Sequence, residues 1–329
     1  MEKTTIPPHN TPIFRYNQAV PYRNATSAAA KALITMPDLR DQAYDAMRQQ
    51  DYNAAIALFQ RLLDDAPNTP QERAELFAEL GFAHIQRQDL TRAEAMFTEG
   101  LDIARRTRVI ALQIRCLSGM GDVYNQRREF RQAVRYHLQV VPLARQIRDS
   151  HGQMRALSAI GASYAGMQKH AQAIEYYFHA LQIAQRIGDV EGQKVSLSQL
   201  GNVYSLLQRY DRAREYYEQA LDLARRDGDS QGEAVCLSNL GMLYAATEHP
   251  TRALQFLEQA LEITRRFGDR AGEANRHGSL GMVYASMYNF VQARNHFSTA
   301  RDIYLELGRN DIAERFQQRI DAVRGQYEE

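Results

Sequence analysis

Polar and apolar residues alternate along this chain with a helical rhythm. Between residues 230 and 270, Cys236, Leu237, Leu240, Leu243 and Tyr244 recur at three- and four-residue spacing, which predicts one apolar helix face. Thr247–Pro250 breaks the run, and Pro250 suits the first turn of a second helix, where its missing N–H has no partner to lose. Ala253, Leu254, Leu257, Leu261 and Ile263 form the second stripe. Gly268 then ends that helix in a left-handed conformation, and Asp269 caps the next. Asp149, Asp189 and Asp229 stand at the same place. Connections this short force neighbouring helices to run antiparallel.

The same unit returns every forty residues. Gly81, Gly121, Gly161, Gly201, Gly241 and Gly281 keep that interval. His84, Tyr124, Tyr164, Tyr204, Tyr244 and Tyr284 follow three residues later, and Ala93, Ala133, Ala173, Ala213, Ala253 and Ala293 twelve residues later. Glycine inside a helix costs about 1 kcal/mol, so its repetition argues for a steric need. The expectation is that Gly201 and Ala213 face each other across two close backbones, with Tyr204 filling the space beside them. Such a chain is built by stacking, each unit supplying part of its neighbour's core. It predicts an all-α solenoid of about seven helix-turn-helix units over 38–309, starting near 38, 71, 110, 150, 190, 230 and 270. An N-terminal arm (1–37) precedes it and a capping helix (310–329) follows. Pro7, Pro8, Pro12 and Pro21 give the arm an extended character. Ile13, Phe14, Tyr16, Val20 and Tyr22 make it apolar for a tail.

Composition narrows the partners. A net charge of +1 advertises no nucleic-acid or membrane-surface partner. Cys116 and Cys236 lie three units apart, beyond disulfide reach, and read as small buried residues in a reducing compartment. No stretch is apolar enough to insert into a membrane, and the N-terminus has no apolar signal core, so a cytoplasmic location is expected. No metal-spaced histidines, phosphate loop or nucleophile elbow is present, so neither an enzyme nor a metal or cofactor site is expected.

Numbered with the glycine as position 8, each unit carries tyrosine at 11, alanine at 20, an aromatic or leucine at 24 and alanine at 27, as in Tyr217 and Ala220. This pattern resembles the tetratricopeptide repeat, in a long forty-residue form like that of Pins/LGN adaptors and bacterial Rap-type peptide sensors. The chain departs from the family pattern at position 4, where Leu117, Leu157, Leu197 and Leu237 replace tryptophan. The resemblance implies a right-handed superhelix whose first helices line a concave groove that holds peptides or partner proteins. It also implies that positions 2, 5, 6, 9, 12 and 13 of each first helix face the groove.

On that basis the candidate groove residues are Arg115, Ser118, Asp122, Asn125, Arg155, Ser158, Ser198, Gln199, Asn202, Ser238, Asn239 and Asn275. Ser118, Ser158, Ser198 and Ser238, continued by Gly278, form a column of small groups that either leaves room for a ligand or lets the helices curve inward. The asparagines offer an acceptor and two donors each, a match for the backbone of one extended residue. Asn202 and Asn239 also match two places of the family's carboxylate clamp. Its cations are missing, since Ser198, Asn275 and Ser279 stand in their place. Arg115 and Arg155 either receive carboxylates bidentately or pair internally with Glu79 and Asp122; the internal pairing is favoured. Arginines at the ends of the second helices read as complements of the helix dipole rather than as a phosphate ridge. The leading functional expectation is an adaptor for a partner's peptide. The alternatives are a sensor that tightens around a short peptide, and self-assembly through the arm docking in its own or another copy's groove.

Overall fold

The computed structural model describes residues 39–65 and 69–325, so the arm and Pro67 lie outside the described residues. Among the described residues fifteen helices follow one another and there is no strand. The first unit pairs α1 (39–48) with α2 (Tyr52–Asp65), and the second pairs α3 (Pro70–Gln86) with α4 (Leu90–Arg106). Then come α5 (Ile110–Gln126) with α6 (Phe130–Gln146), and α7 (Ser150–Gly166) with α8 (His170–Ile187). The series continues with α9 (Val190–Leu206) and α10 (Tyr210–Asp227), then α11 (Ser230–Ala246) and α12 (Pro250–Arg266). It ends with α13 (Arg270–Ser286), α14 (Phe290–Glu306) and a single α15 (Asn310–Gly325). Each helix packs on its sequence neighbours, giving a helical repeat solenoid with a core that runs along the stack.

Capping chemistry fixes the forty-residue step. Asp149, Asp189, Asp229 and Asp269 each accept a hydrogen bond from the backbone N–H of Gly152, Gly192, Gly232 and Gly272 at 2.8–2.9 Å. Gly188, Gly228, Gly268 and Gly308 end the preceding helices at φ of 67–70°. The turns inside the units are also left-handed, but there Gln88, Arg128, Gln168, Gln208, Glu248 and Tyr288 hold φ of 56–64°. Nothing in those residue types announces the conformation, because each bears a Cβ that disfavours it.

The glycine column approaches the alanine backbone where expected, with a Cβ on Gly241 3.2 Å from the Ala253 carbonyl, but the ring over Gly201 is not Tyr204. A Cβ on Gly201 would lie 2.5 Å from the Tyr217 ring, and one on Gly161 would lie 2.8 Å from the Tyr177 ring. Position 24 therefore fills the space over the glycine, and Ala213 is fully buried in the same unit. Tyr204 instead stacks on Tyr216 with ring centroids 5.4 Å apart. Tyr124–Tyr136, Tyr164–Tyr176 and Tyr244–Phe256 repeat that stack at 5.3–5.4 Å. The two aromatic columns thus have separate tasks: one closes the helix pair over a glycine, the other ties the tops of its two helices.

Candidate functional site

The accessible face of the first helices sets the geometry of the site. On α9, Lys194, Ser196, Leu197, Leu200, Gly201 and Val203 are buried, whereas Val195, Ser198, Gln199, Asn202 and Leu206 are half-buried or exposed. The open positions are 2, 5, 6, 9 and 13, one stripe at helical spacing. First helices of adjacent units touch one another directly, α5 on α7, α7 on α9 and α9 on α11, while the second helices make no comparable contact with each other among the described residues. The stack therefore bends toward its first helices, and their open stripe forms the inner wall. Asp122 agrees with a recess: water reaches 44 % of its side chain, yet enclosing protein pushes its carboxyl up to about 6, with Arg155 opposing from a distance.

At the N-terminal end of this wall the polar residues hold one another. Arg115 donates to the buried Glu79 at 2.8 Å, and Glu79 also accepts from the Tyr44 hydroxyl at 2.6 Å. The Arg115 guanidinium lies 5.8 Å from the Phe82 ring. Glu79 holds Arg115 charged against its burial, and Tyr44's own burial, followed by the Glu79 charge, drives the Tyr44 hydroxyl pKa up. The expected internal pairing is thus formed by Arg115 alone. Arg155 is exposed and makes no ion pair or hydrogen bond among the described residues; Asp122 is near enough to feel its charge but not to pair with it. Asn125 bridges units instead of facing a ligand freely: its Oδ1 accepts from the buried Ser163 hydroxyl at 2.7 Å, and its amide lies 3.5 Å from His137.

Further along, the asparagines divide. Asn202 accepts from the buried Tyr217 hydroxyl, and Asn275 from that of Tyr304, both at 2.7 Å. Each carbonyl already accepts one bond from the fold, while both amide N–H groups remain to offer. Asn239, Gln199, Ser118 and Ser158 are half-buried, and their side chains have no hydrogen-bond partner among the described residues. Ser198 is half-buried and helps hold the Cys236 thiol, which burial pushes up to about 11. Ser238 is 9 % exposed and its hydroxyl has no partner. The small column stops at Gly278, where a Cβ would come within 2.8 Å of the Phe316 ring of α15. The final helix, rather than a ligand, takes up that space.

Three histidines escaped the sequence reading. His137 replaces the aromatic of position 24, and burial lowers its pKa to about 4, with Nδ1 left unpartnered. His277 takes the place held by Leu117, Leu157, Leu197 and Leu237 in the earlier units, and its Nδ1 lies 2.8 Å from Nδ1 of His296. Burial, then the charge on His296 and on Arg265, lowers His277 to about 4. Their columns were visible; that imidazoles would be enclosed there was not. Cys116 is likewise buried and its thiol pushed up to about 12, which makes it inert. Among the described residues no group of three His, Cys, Asp or Glu side chains is placed to hold a metal ion, and no helix is long and apolar enough to cross a membrane.

Two open clefts of about 560 Å³ lie mainly against the second helices, one reaching Gln153 and Leu157 of α7 and the other Met120 of α5. Neither contains a candidate groove residue. The helix-end arginines are mostly paired with acids on their own or the next helix, Arg225 with Glu233 and Arg265 with Glu273 at 2.8 Å, and Arg266 with Glu262. Arg145 and Arg186 instead line the first cleft.

Comparison with known proteins matches this architecture. Tetratricopeptide repeat family models match residues 46–116 and, in overlapping stretches, 112–186, 152–226, 195–266 and 235–306. A comparison with curated sequences gives no match. Among solved structures, a signal transduction ATPase with a tetratricopeptide repeat sensor from Pyrococcus horikoshii is similar over 84 % of this chain and 44 % of its own, at 18 % identity and a TM-score of 0.65. The present chain thus spans less than half of that protein. BtubC from P. vanneervenii is 26 % identical over 67 % of this chain and 92 % of its own, with a TM-score of 0.57. The apo form of RapI gives 15 % identity and a TM-score of 0.61 over 89 % of this chain and 99 % of its own. With family models spanning nearly the whole stack, this chain belongs to the tetratricopeptide repeat family and is a protein-interaction repeat protein.

Proposed function

We propose that the inner wall over α7, α9 and α11 holds a peptide segment of a partner protein. The observation that carries this reading is the pairing of exposed Val195 and Val235 with Ser238, Asn239 and Gln199, whose side chains have no hydrogen-bond partner among the described residues. Polar groups left open beside apolar surface are what a backbone-gripping site needs: the amides bond the main chain, and the valines take side chains. A rigid stack loses little entropy on binding, so a short contact set suffices. The test is pull-down of a partner, mapping of its bound fragment, and calorimetric titration against Asn239→Ala and Asn202→Asp. The aspartate keeps the acceptor that Tyr217 needs while removing the amide donors. Affinity should fall at least fivefold in each; unchanged affinity in both removes the inner wall from consideration.

A peptide-responsive sensor is the second reading. It draws on the likeness to RapI, to a Rap protein solved with Competence and Sporulation Factor, and to the tetratricopeptide repeat sensor of the Pyrococcus horikoshii ATPase. Small-angle scattering separates the two: a sensor compacts when the fragment binds, and a passive adaptor keeps its radius of gyration.

A further inference from the structure

If the inner wall is the binding face, as proposed above, its side chains also select among peptides. Position 2 is occupied on successive first helices by Arg155 on α7, Val195 on α9 and Val235 on α11. All three are open to solvent: Arg155 is exposed and each valine is 41 % exposed. Arg115, one unit earlier in the column, is consumed by Glu79, whereas Arg155 has no ion-pair partner among the described residues. The column therefore presents one unpaired positive charge followed by two apolar surfaces.

Its spacing sets a period. α7 touches α9, and α9 touches α11, so their axes are about 8–10 Å apart. An extended chain advances about 3.3 Å per residue, so three of its residues span one helix-to-helix step. A helical ligand, at about 1.5 Å per residue, would need about five to seven. The unpartnered hydroxyl of Ser238, one helical turn from Val235 and nine-tenths buried, favours the extended form. An extended backbone offers open N–H and C=O groups there, whereas a helix has already used its own.

We infer that the wall selects an extended peptide with an acidic residue at one end and apolar residues three and six positions away. The carboxylate sits at Arg155, and the two apolar side chains lie against Val195 and Val235. Serine or threonine suits the residues between, because nothing in the column asks for more than space there.

The experiment uses the full chain and five labelled peptides of serine and threonine, the fifth an end-acid peptide with lysine in place of glutamate, read by fluorescence anisotropy. Two are nonapeptides carrying glutamate and two leucines spaced by three with the acid at either end, one for each chain direction. A third, of identical composition, carries the glutamate between the leucines. A fourth spaces the three residues by seven in a longer chain. At least one end-acid peptide should bind tenfold more tightly than the middle-acid peptide and the seven-spaced peptide. Arg155→Glu should reverse the preference toward the same peptide bearing lysine, with an unchanged circular dichroism spectrum. Val195→Ser with Val235→Ser should weaken the end-acid peptide at least fivefold. Equal binding of end-acid and middle-acid peptides, tighter binding of the seven-spaced peptide, an Arg155→Glu chain with unaltered preference, or no binding by either end-acid peptide would each overturn the pattern. None of these touches the wider reading, which stands or falls on the partner fragment and Asn239.

Discussion

Over α3 and α5 Glu79, Arg115 and Asn125 are tied into the fold, whereas over α9 and α11 Gln199, Ser238 and Asn239 have no hydrogen-bond partner among the described residues. The same columns are used in both regions. Position 2 gives Arg115, locked onto Glu79, and two units later Val195, open to solvent. The register of the repeat thus decides where a side chain points, and only its neighbours decide whether it serves cohesion or recognition. A buried polar group that has found its partner stabilises; one that has not costs energy until a ligand supplies the partner.

The largest effect that can break this comparison is expected at Glu79. Glu79→Ala deprives the Tyr44 hydroxyl and the Arg115 guanidinium of a shared buried acceptor, at a cost of about 3 kcal/mol. Because each unit contacts only its neighbours, amide hydrogen exchange should accelerate over α1–α5 and stay unchanged over α11–α15. Uniform acceleration along the whole chain would contradict a locally tied N-terminal end.

His137 gives the next effect and adds pH to the comparison. Its folded pKa, about 4, lies below the ordinary value of 6.5, so the unfolded chain takes up the proton first. The stability it protects is full above pH 6.5 and is lost as pH falls toward 4. Asp122, 3.7 Å from His137 and pushed up to about 6, acts with the opposite sign between pH 4 and 6. His277, also near 4 and facing His296, Arg265 and Glu273, adds to the acid loss at the far end. His137→Phe places in this unit the ring that Phe97 and Phe297 supply in others. It should leave stability at pH 7 unchanged or slightly raised, and recover about 1–2 kcal/mol at pH 5. Urea midpoints at the two pH values check it; an identical pH slope in the variant would show that His137 titrates normally.

How far the sequence could carry this picture depends on what kind of information a position holds. The helices and their forty-residue register are written in apolar periodicity and in the Gly-Asp junctions, signals that are local in the chain. The left-handed Gln168 and Tyr288 turns are not, because their conformation is imposed by the packed helices on either side. The glycine column is plain, but the ring that covers it is not, since Tyr204 and Tyr217 are equally bulky and only the packing shows which ring lies over Gly201. The asparagines show the limit most sharply. As a residue type Asn202 offers two donors and an acceptor, and nothing local reveals that a tyrosine fifteen positions on already holds the acceptor.

Asn125 tests the boundary between the two regions with a smaller effect. It sits in a column assigned to the groove, yet its carbonyl meets the buried Ser163 hydroxyl on the next first helix. Asn125→Ala should cost about 1 kcal/mol, softened because Ser163 also reaches the Ala159 carbonyl at 2.9 Å. Asn239→Ala, which removes no internal bond, should stay within about 0.5 kcal/mol. Equal losses for the two would erase the distinction between bonded and open amides.

The smallest expected change has the most informative sign. Ser238 is nine-tenths buried on α11 and its hydroxyl finds no acceptor or donor, a state that folding does not favour. Ser238→Ala deletes the orphaned group while keeping the volume nearly constant, so the variant should gain about 0.5 kcal/mol in thermal or urea stability. If the hydroxyl is kept for a ligand backbone, the same variant should bind the partner fragment three- to tenfold more weakly. Stability and affinity would then move in opposite directions from the loss of one oxygen, which no purely structural role for Ser238 produces. A variant that loses both together would place Ser238 with the tied residues of the N-terminal wall; one that gains stability and binds unchanged would leave the hydroxyl without a task.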